Sequence, residues 1–423
     1  MCFVSGLFEF INGAPTSFHA AKSVADMLRE AGYAELSVAT VLEDGRGYYT
    51  KRAGSLIAFV YRVDAESFAI TASHSDSPAF KLVMKPDSHT GAYSRISVER
   101  YGGAINYTWL DRPLSVAGRL VISDNGVIRE RLVDVGEDIA VIPSVAPHLN
   151  RGVNDSFSPN AAVDLQPLYA LGSSGDILSR VAAVAGVCES DIISHDLYLY
   201  CREGARLIGE SGEMILSPRI DDLASVYTAT LAFIEAEKST AIPVLAVFDN
   251  EEIGSSTKEG AASGLLGEIL SLLTPDNEKR RRMLSSSLML SVDGAHALHP
   301  NHPELSNPEC HAVMGNGIAV KYNAARRYAT DAVSDALLRG IASKVGIALQ
   351  SYANRADQPG GSTLGSIAAT ALSVHTVDIG ISQLAMHSAV ELAAASDIES
   401  CYRLLLAFYS CSVECRDGGY SIK

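Results

Sequence analysis

A chain of 423 residues, of which 47% are hydrophobic, is longer than one compact core usually requires, so two domains are expected. Its formal net charge of -15 repels phosphate backbones, which excludes nucleic acid as an expected partner. No apolar run approaches the roughly 18 residues of a membrane span, and residues 1–13 carry no Lys or Arg before their apolar residues. We therefore expect neither a membrane partner nor a secretion signal.

The cysteines indicate a reducing environment. There are seven, an odd number, and no two form a CxxC pair. This pattern favours reduced, mostly buried thiols in a cytoplasmic protein over a disulfide framework. Cys411 and Cys415 could share a helix face as metal ligands, but no nearby residues complete a tetrahedral set.

The predicted elements begin with helices. The spacing of apolar residues within residues 1–13 fits one amphipathic helix, and Thr16 precedes a second helical pattern from Phe18 to Ala31. Strands are predicted next, at Leu56–Arg62 and Ser67–Ala72.

From about Val83 to Glu210 the pattern changes to short β-like runs separated by turn signals, which predicts a β-rich region. The clearest signals there are β-like runs at Arg119–Ser123 and Ala140–Ile142, turns at Asp124–Gly126 and Ser173–Gly175, and one helix at Ile177–Ala185.

After Ser211, helical patterns alternate with apolar strands, which predicts an α/β sheet with parallel character. The predicted helices are Ser225–Ala236, Asp331–Val345 and Ala389–Ser410, and the predicted strands are Pro243–Phe248, Leu288–Val292 and Leu372–Val377. The polar stretch from Thr274 to Arg282 is predicted to be a surface loop. The expected fold class is α/β, with a mixed sheet flanked by helices (residues 1–85 and 211–423) and an inserted β-rich domain (residues 86–210).

Titratable residues at strand ends are the first candidates for a site, because ligands of open α/β sheets collect at the carboxyl ends of strands. One predicted strand ends at His74, and Asp76 follows, so a carboxylate is near to orient a ligating imidazole. Taken alone, such a histidine is more often structural. Asp221 precedes a predicted helix, where an aspartate usually caps the helix but can also bridge two cations.

Two adjacent glutamates, Glu251 and Glu252, directly follow the predicted strand Pro243–Phe248. Burying both carboxylates unpaired would be unfavourable, and a bound cation would relieve that cost for one of them. The other could then act as general base towards a water molecule at the metal. The alternative is an exposed acidic turn.

Two further candidates follow later strands. Asp293 comes directly after Leu288–Val292, with His296 and His299 close behind, and His387 comes after Leu372–Val377. A lone histidine such as His387 is usually a core or surface residue.

The candidates together form a chemically coherent set. Mixed imidazole and carboxylate ligands suit zinc, or cobalt or manganese, better than calcium or magnesium. Five ligands are too many for one structural zinc, but they suit two metals that share a bridging carboxylate. With Glu251 as the base, the set predicts a two-metal hydrolase. The five predicted metal ligands are His74, Asp221, Glu252, Asp293 and His387.

The order of these motifs resembles the aspartyl aminopeptidase family. The matching segments run from the helix at Thr16 to His387, so the resemblance covers nearly the whole chain. Tyr107 and Asp222 depart from the family pattern, since many relatives have His and Asn there. The segments that carry the resemblance are His74–Asp76, Tyr101–Gly103, Thr108–Arg112, Leu114–Arg119, Ile142–Arg151, Arg219–Leu223, Asp249–Ser255, Ser291–Pro300, Gly360–Gly365 and Gln383–Ser388.

The resemblance implies a role for each predicted ligand. His74, Asp221 and Asp293 would bind one metal, and Asp221, Glu252 and His387 would bind the other, with Asp221 bridging. Glu251 would be the general base and Asp76 would orient His74. The metals would also bind the free α-amine of a peptide substrate, which would confine cleavage to its N-terminal residue.

The resemblance also implies an assembly and a preferred substrate. Family members form tetrahedral dodecamers built from dimers, in which the inserted domain makes the dimer contact and His148 would reach a neighbouring active site. Tyr328 would donate a hydrogen bond to the developing oxyanion. Lys321 would select acidic N-terminal residues, although the family also contains members with neutral or broader preferences. The alternatives are a related two-metal carboxypeptidase or deacylase, and a non-catalytic assembly protein.

Overall fold

The structure is a computed structural model, and it describes residues 3–172, 176–416 and 418–423. Over these residues the helices are α1 (Phe3–Asn12), α2 (Ser17–Glu30), α3 (Ile177–Ala185), α4 (Ile220–Glu235), α5 (Leu265–Leu273), α6 (Asn277–Ser285), α7 (Ala332–Val345), α8 (Leu364–Leu372) and α9 (Ala395–Tyr409). The strands are β1 (Ala34–Glu35), β2 (Gly47–Arg52), β3 (Ser55–Val60), β4 (Ser67–His74), β5 (Ala79–Thr90), β6 (Tyr93–Tyr101), β7 (Leu114–Asp124), β8 (Val127–Asp134), β9 (Leu168–Leu171), β10 (Ile192–Cys201), β11 (Arg206–Ile208), β12 (Met214–Ser217), β13 (Ala241–Phe248), β14 (Leu288–Val292), β15 (Ala295–His296), β16 (Ile318–Tyr322), β17 (Leu349–Ala353), β18 (His375–Gly380), β19 (Ser382–Leu384), β20 (Glu391–Ala394), β21 (Val413–Arg416) and β22 (Gly419–Ile422).

The largest sheet has nine strands in the order β1-β2-β3-β13-β4-β14-β18-β16-β17. Strands β13, β4, β14 and β18 are parallel to their neighbours in this set, whereas β3 and β16 run antiparallel to it. The sheet is therefore mixed, as the sequence predicts.

Helices cover both faces of this sheet because side chains alternate along its buried strands. In β13, Leu245 and Val247 pack into a core with α1, α2, α4, α7 and α9. Val244 and Ala246 point to the opposite face and pack with α5, α6 and α8. All four side chains are fully buried, and burying one valine or leucine contributes about 1.5–3 kcal/mol.

A second sheet of six antiparallel strands, in the order β8-β7-β10-β5-β6-β9, has a hydrophobic core of its own. The turn predicted at Asp124–Gly126 joins β7 to β8, with Asn125 at φ 51° and Gly126 at φ 82°, the conformation that a two-residue hairpin turn requires. The turn predicted at Ser173–Gly175 lies outside the described residues.

A third sheet has the strand order β11-β12-β20-β19-β15. One of its strands occupies the start of the longest predicted helix, so that prediction is wrong there. Residues from Ala389 onward were expected to be helical, but Glu391–Ala394 form β20, which pairs with β12 and β19. Helix α9 begins only at Ala395. Apolar periodicity does not separate a short buried strand from the start of a helix, and pairing with distant strands decides the outcome.

Three other predicted elements are also wrong in detail. The loop expected at Thr274–Arg282 contains α6, where the Asp276 side chain accepts the N–H groups of Glu278 and Lys279 as an N-cap. The strand expected at Leu372–Val377 begins at His375, because α8 continues to Leu372. Residues 140–142 form isolated bridges instead of a strand.

The described cysteines are all free thiols. Cys201, Cys401 and Cys411 are buried, whereas Cys188 and Cys415 are exposed, so the expectation of mostly buried thiols holds only in part. Cys411 follows α9 and Cys415 lies in β21, so the two do not share a helix face. None of the described helices combines the length and apolar composition needed to cross a membrane.

Candidate metal centre and active site

Three of the predicted ligands meet at one edge of the nine-stranded sheet. His74 is the last residue of β4, and Phe248 of the parallel strand β13 lies beside it in the register. The loop after β13 carries Glu252, and Asp293 follows β14, which is also parallel to β4. Parallel strands end at the same edge of a sheet, so the three side chains converge.

The other two predicted ligands come from outside this sheet. Asp221 lies in the first turn of α4, where its backbone is not helical (φ -79°, ψ 108°). His387 lies in the turn between β19 and β20 and has a left-handed backbone with φ 67°. Left-handed conformations are unfavourable for residues other than glycine and are found where surrounding contacts hold them.

The five side chains form two groups that share Asp221. His74 Nε2 lies 3.3 Å from Asp221 Oδ1 and 3.6 Å from Asp293 Oδ1. His387 Nε2 lies 3.6 Å from the other oxygen, Asp221 Oδ2, and 3.3 Å from Glu252 Oε1. Each oxygen of one carboxylate therefore faces a different imidazole.

Buried oxygens without partners indicate that the cluster fits cations. Asp221 Oδ1 and Glu252 Oε1 are buried and have no hydrogen-bond partner. Buried polar atoms are nearly always paired, and an unpaired buried carboxylate is strongly unfavourable. Three ligand atoms lie within 4.8 Å of one another in the group His74, Asp221 and Glu252. The same holds for His74, Asp222 and Asp293, a group in which Asp222, not a predicted ligand, takes the place of Asp221.

The protonation of the two histidines supports this interpretation. Burial by itself lowers the pKa of His387, but the carboxylates of Asp221 and Glu252 raise it to about 10. Burial likewise opposes protonation of His74, yet Asp222, Asp221 and the other carboxylates raise its pKa well above the ordinary value. Positive charge is thus strongly favoured at this point, and bound metal ions would supply it in place of the protons.

Backbone carbonyls orient both imidazoles towards the cluster. His74 Nδ1 lies 3.0 Å from the backbone oxygen of Asp76, and His387 Nδ1 lies 3.1 Å from the backbone oxygen of Gly103. A carbonyl oxygen only accepts hydrogen bonds, so Nδ1 carries the proton in each ring. Nε2 is then the nitrogen available to bind a metal.

The carboxylate of Asp76 anchors the loop that carries both glutamates. Its Oδ1 accepts the N–H of Glu251, and its Oδ2 accepts the N–H of Glu252, each at 3.1 Å. Oδ2 also accepts the hydroxyl of Tyr101 at 2.7 Å. Asp76 contacts His74 mainly through its backbone oxygen, because the nearest carboxylate oxygen lies 3.5 Å from Nδ1.

The side chain of Glu251 lines the pocket beside these ligands. Burial, together with the negative charges of Asp293, Asp76 and Asp221, raises its pKa to about 7. A carboxyl group in this range has the basicity that a general base needs near neutral pH.

A pocket of about 330 Å³ opens onto the cluster. Lys321 is 2% exposed, and its Nζ lies 3.3 Å from Asp293 Oδ2 and 5.6 Å from the centre of the Tyr328 ring. Burial lowers the pKa of Lys321, but the charges of Asp293 and its neighbours outweigh this effect and raise it. The lysine is therefore a fixed positive charge in the pocket.

Eight of the ten predicted site residues line this pocket, and two do not. Asp76 accepts backbone N–H groups of the glutamate loop, and His148 is exposed in a turn of the region between β8 and β9, so neither lines the pocket. The eight are His74, Asp221, Glu251, Glu252, Asp293, Lys321, Tyr328 and His387.

The candidate set omitted His296 and Tyr352, which also line the pocket and whose ring centres lie 6.3 Å apart. His296 could have been identified from the sequence, because it follows Asp293 by three residues. The set also omitted Asp378, whose carboxylate accepts the Thr363 hydroxyl and the Ala329 N–H at 2.5 Å each. Asp378 thereby links two loops of the pocket wall.

A mixed α/β sheet that presents clustered imidazoles and carboxylates to a pocket at its strand ends is the arrangement expected of a metal-dependent hydrolase. A family model described as Aminopeptidase I zinc metalloprotease (M18) matches residues 10–409. The chain therefore belongs to the M18 family and is a metalloaminopeptidase. The family resemblance predicted from the motifs is confirmed.

Individual relatives match over nearly their whole lengths. A Clostridium novyi protein named probable M18 family aminopeptidase 2 is 36% identical over 96% of this chain and 98% of its own length. A chain in the structure of the Ape4 and Nbr1 complex is 30% identical, with a TM-score of 0.92 over 96% of this chain and 85% of that chain. The S. cerevisiae mApe1 dodecamer is 27% identical, with a TM-score of 0.82 over 96% of each chain.

Proposed function

We propose that this aminopeptidase uses two divalent metal ions to release single N-terminal residues from peptides, with a preference for Asp and Glu. Zinc is the most suitable metal for mixed imidazole and carboxylate ligands, with cobalt and manganese as alternatives. The observation that carries the proposal is the pair of ligand groups sharing Asp221, whose two oxygens face His74 and His387 separately.

Each candidate residue has a role in the proposed mechanism. Two bound cations would polarise the scissile carbonyl, lower the pKa of the attacking water and bind the free α-amine. Glu251 takes a proton from the attacking water and gives it to the leaving amine. The Tyr328 hydroxyl donates a hydrogen bond to the oxygen on which negative charge develops.

Lys321 is the proposed selector of acidic substrates. It is the one Lys or Arg among the described residues that line the pocket. Its partner Asp293 is also a proposed metal ligand. A cation on Asp293 would compensate that carboxylate, which would leave the ammonium group available for the side chain of an N-terminal Asp or Glu.

Replacing Lys321 by Met tests this specificity. We expect kcat/KM for an N-terminal Asp arylamide to fall at least about tenfold relative to the Leu arylamide, because only the acidic substrate loses an ionic partner. The panel should also contain Glu and Lys substrates, and metal content should be measured because Lys321 contacts Asp293. Lys22→Met, at an exposed lysine, is the matched control. Equal losses for Asp and Leu substrates would rule Lys321 out as the selector.

We also propose that residues 1–85 and 211–423 form the catalytic domain and that residues 86–210 form an inserted domain that joins copies of the chain into a dodecamer. In support, the similar mApe1 structure is a dodecamer. His148 and its neighbour Leu149 are both exposed, so the His148 side chain would be free to reach the active site of another copy. A cytoplasmic location is proposed with this assembly, supported by the free thiols of the described cysteines.

A further inference from the structure

A buried glutamate outside the proposed catalytic machinery connects two of the proposed metal ligands. Glu391 is the first residue of β20 and is 2% exposed. Its Oε2 accepts the backbone N–H of Asp221 at 2.9 Å, and its Oε1 accepts the backbone N–H of His387 at 2.7 Å. One rigid carboxylate thus links the main chains of two residues that are far apart in the sequence.

No basic partner accounts for the burial of this carboxylate. Among the described residues, no Lys, Arg or His side chain lies within ion-pair distance of Glu391. The charges of His387 and Arg219 favour the ionised form, but neither makes a short ion pair with it. Burying this carboxylate is therefore unfavourable, and its two backbone hydrogen bonds offset only part of that penalty.

The backbones of Asp221 and His387 both adopt conformations that contacts from other segments must hold. Asp221 departs from helical geometry inside the first turn of α4, and His387 is left-handed at φ 67°. The backbone N–H of each residue binds the Glu391 side chain and not a backbone carbonyl of a helix or sheet. The Glu391 carboxylate provides an acceptor for each of them, which fixes both backbones in the orientation that directs their side chains towards the cluster.

Strand pairing places Glu391 symmetrically between the two ligands. In the register of β12 and β20, Glu391 lies opposite Ser217. Asp221 follows Ser217 by four residues, and His387 precedes Glu391 by four residues. The two segments therefore leave the paired strands at the same end, and the carboxylate closes the gap between them.

We propose that Glu391 is a positioning residue that sets the spacing between Asp221 and His387, and with it the geometry of the metal site that His387, Asp221 and Glu252 form. This inference rests on the proposed function. Groups that orient metal ligands typically change metal affinity by about 10- to 100-fold when they are replaced.

The test is zinc binding to the metal-stripped full chain, measured by competition with a chromophoric chelator. We expect two binding events in the unmodified protein. Glu391→Gln should weaken, by about 10- to 100-fold, the event that His387→Ala removes. The two N–H groups bind different oxygens of Glu391, and glutamine replaces one of these oxygens by an NH2 group, which donates and cannot accept.

Asp397 provides a matched structural control. Its carboxylate is 1% exposed and accepts the backbone N–H groups of Gly315 and Gly317 at 2.7 and 2.9 Å, but it contacts none of the proposed ligands. Asp397→Asn should lower the melting temperature without changing either zinc affinity. If Glu391→Gln does not fold, Glu391→Asp should show the same selective weakening, because its shorter side chain cannot reach both N–H groups.

The possible outcomes separate the inference from the proposed function. Zinc affinities in both Glu391 variants equal to those of the unmodified protein would overturn the positioning role alone. So would an equal weakening in Asp397→Asn, which would indicate a general structural effect. An unmodified chain that binds fewer than two zinc ions would overturn the proposed two-metal function and the inference together.

Discussion

Replacing Glu251 by Gln is expected to lower kcat by about two to four orders of magnitude while the fold and metal content stay unchanged, as expected for the loss of a general base. The side chain lines the pocket, yet it belongs to neither group of ligand atoms around His74 and His387. Glutamine has nearly the same shape but cannot take a proton from water. The measurements are steady-state kinetics and metal analysis of the purified variant.

The neighbouring glutamate provides the control for this experiment. Glu252 Oε1 faces His387 Nε2 at 3.3 Å, so Glu252→Gln should lose metal as well as activity. The two variants therefore change the same chemical group at adjacent positions with different expected effects on metal content. Near-normal turnover in Glu251→Gln would refute its assignment as the base.

Replacing Asp221 by Ala is expected to remove both metal ions and to reduce activity by at least about a thousandfold, because metal ions contribute several kcal/mol to stabilising the transition state. Its two oxygens lie 3.3 Å from His74 Nε2 and 3.6 Å from His387 Nε2, so no other single substitution should affect both sites as strongly. Metal analysis by mass spectrometry and circular dichroism would separate metal loss from unfolding.

Asp222→Asn is the matched control at the adjacent, equally buried position. Asp222 Oδ2 accepts the N–H of His74 at 3.1 Å, and an asparagine oxygen can accept the same hydrogen bond. We expect this variant to keep its metals and most of its activity. If instead Asp222→Asn lost metal and Asp221→Ala kept it, Asp222 would be the ligand and the assignment of Asp221 would be wrong.

The sequence predicts the convergence of ligands well where each ligand follows a strand of the parallel set. His74 and Asp293 come directly after buried apolar runs, and such runs end at one edge of the sheet. Asp221 and His387 lie on elements outside that set. Both were candidates from local pattern, Asp221 before a predicted helix and His387 after a predicted strand, but that pattern did not place them beside the other three. The antiparallel position of β16 and the pairing of β20 with β12 depend on contacts between distant segments that no local signal encodes.

Residues that act through the main chain escaped prediction. Glu391 and Asp378 are buried carboxylates that accept backbone N–H groups from distant segments, and neither stands in a motif with a recognisable spacing. Glu391 was moreover assigned to a helix, because the apolar residues around it fit a helical period. The same limitation applies to Gly103, whose backbone oxygen fixes the ring of His387.

The segment proposed to be an inserted domain also contributes to the site within its own chain. The hydroxyl of Tyr101 binds Asp76, the oxygen of Gly103 orients His387, and the Thr108 hydroxyl accepts the N–H of Ala389. Contacts from the end of β6 and the following turn therefore hold both the glutamate loop and the His387 turn. These hydrogen bonds therefore join the end of the six-stranded sheet to the proposed metal site.

The most direct test of the account is hydrolysis of an Asp arylamide by metal-stripped protein as zinc is added, with the N-acetylated substrate as control. We predict no activity without metal, a plateau at two zinc ions per chain and no cleavage of the acetylated substrate, because its blocked α-amine would not bind the metals. A plateau at one zinc ion per chain would contradict the two-metal site. Comparable cleavage of the acetylated substrate would contradict dependence on the free N-terminus.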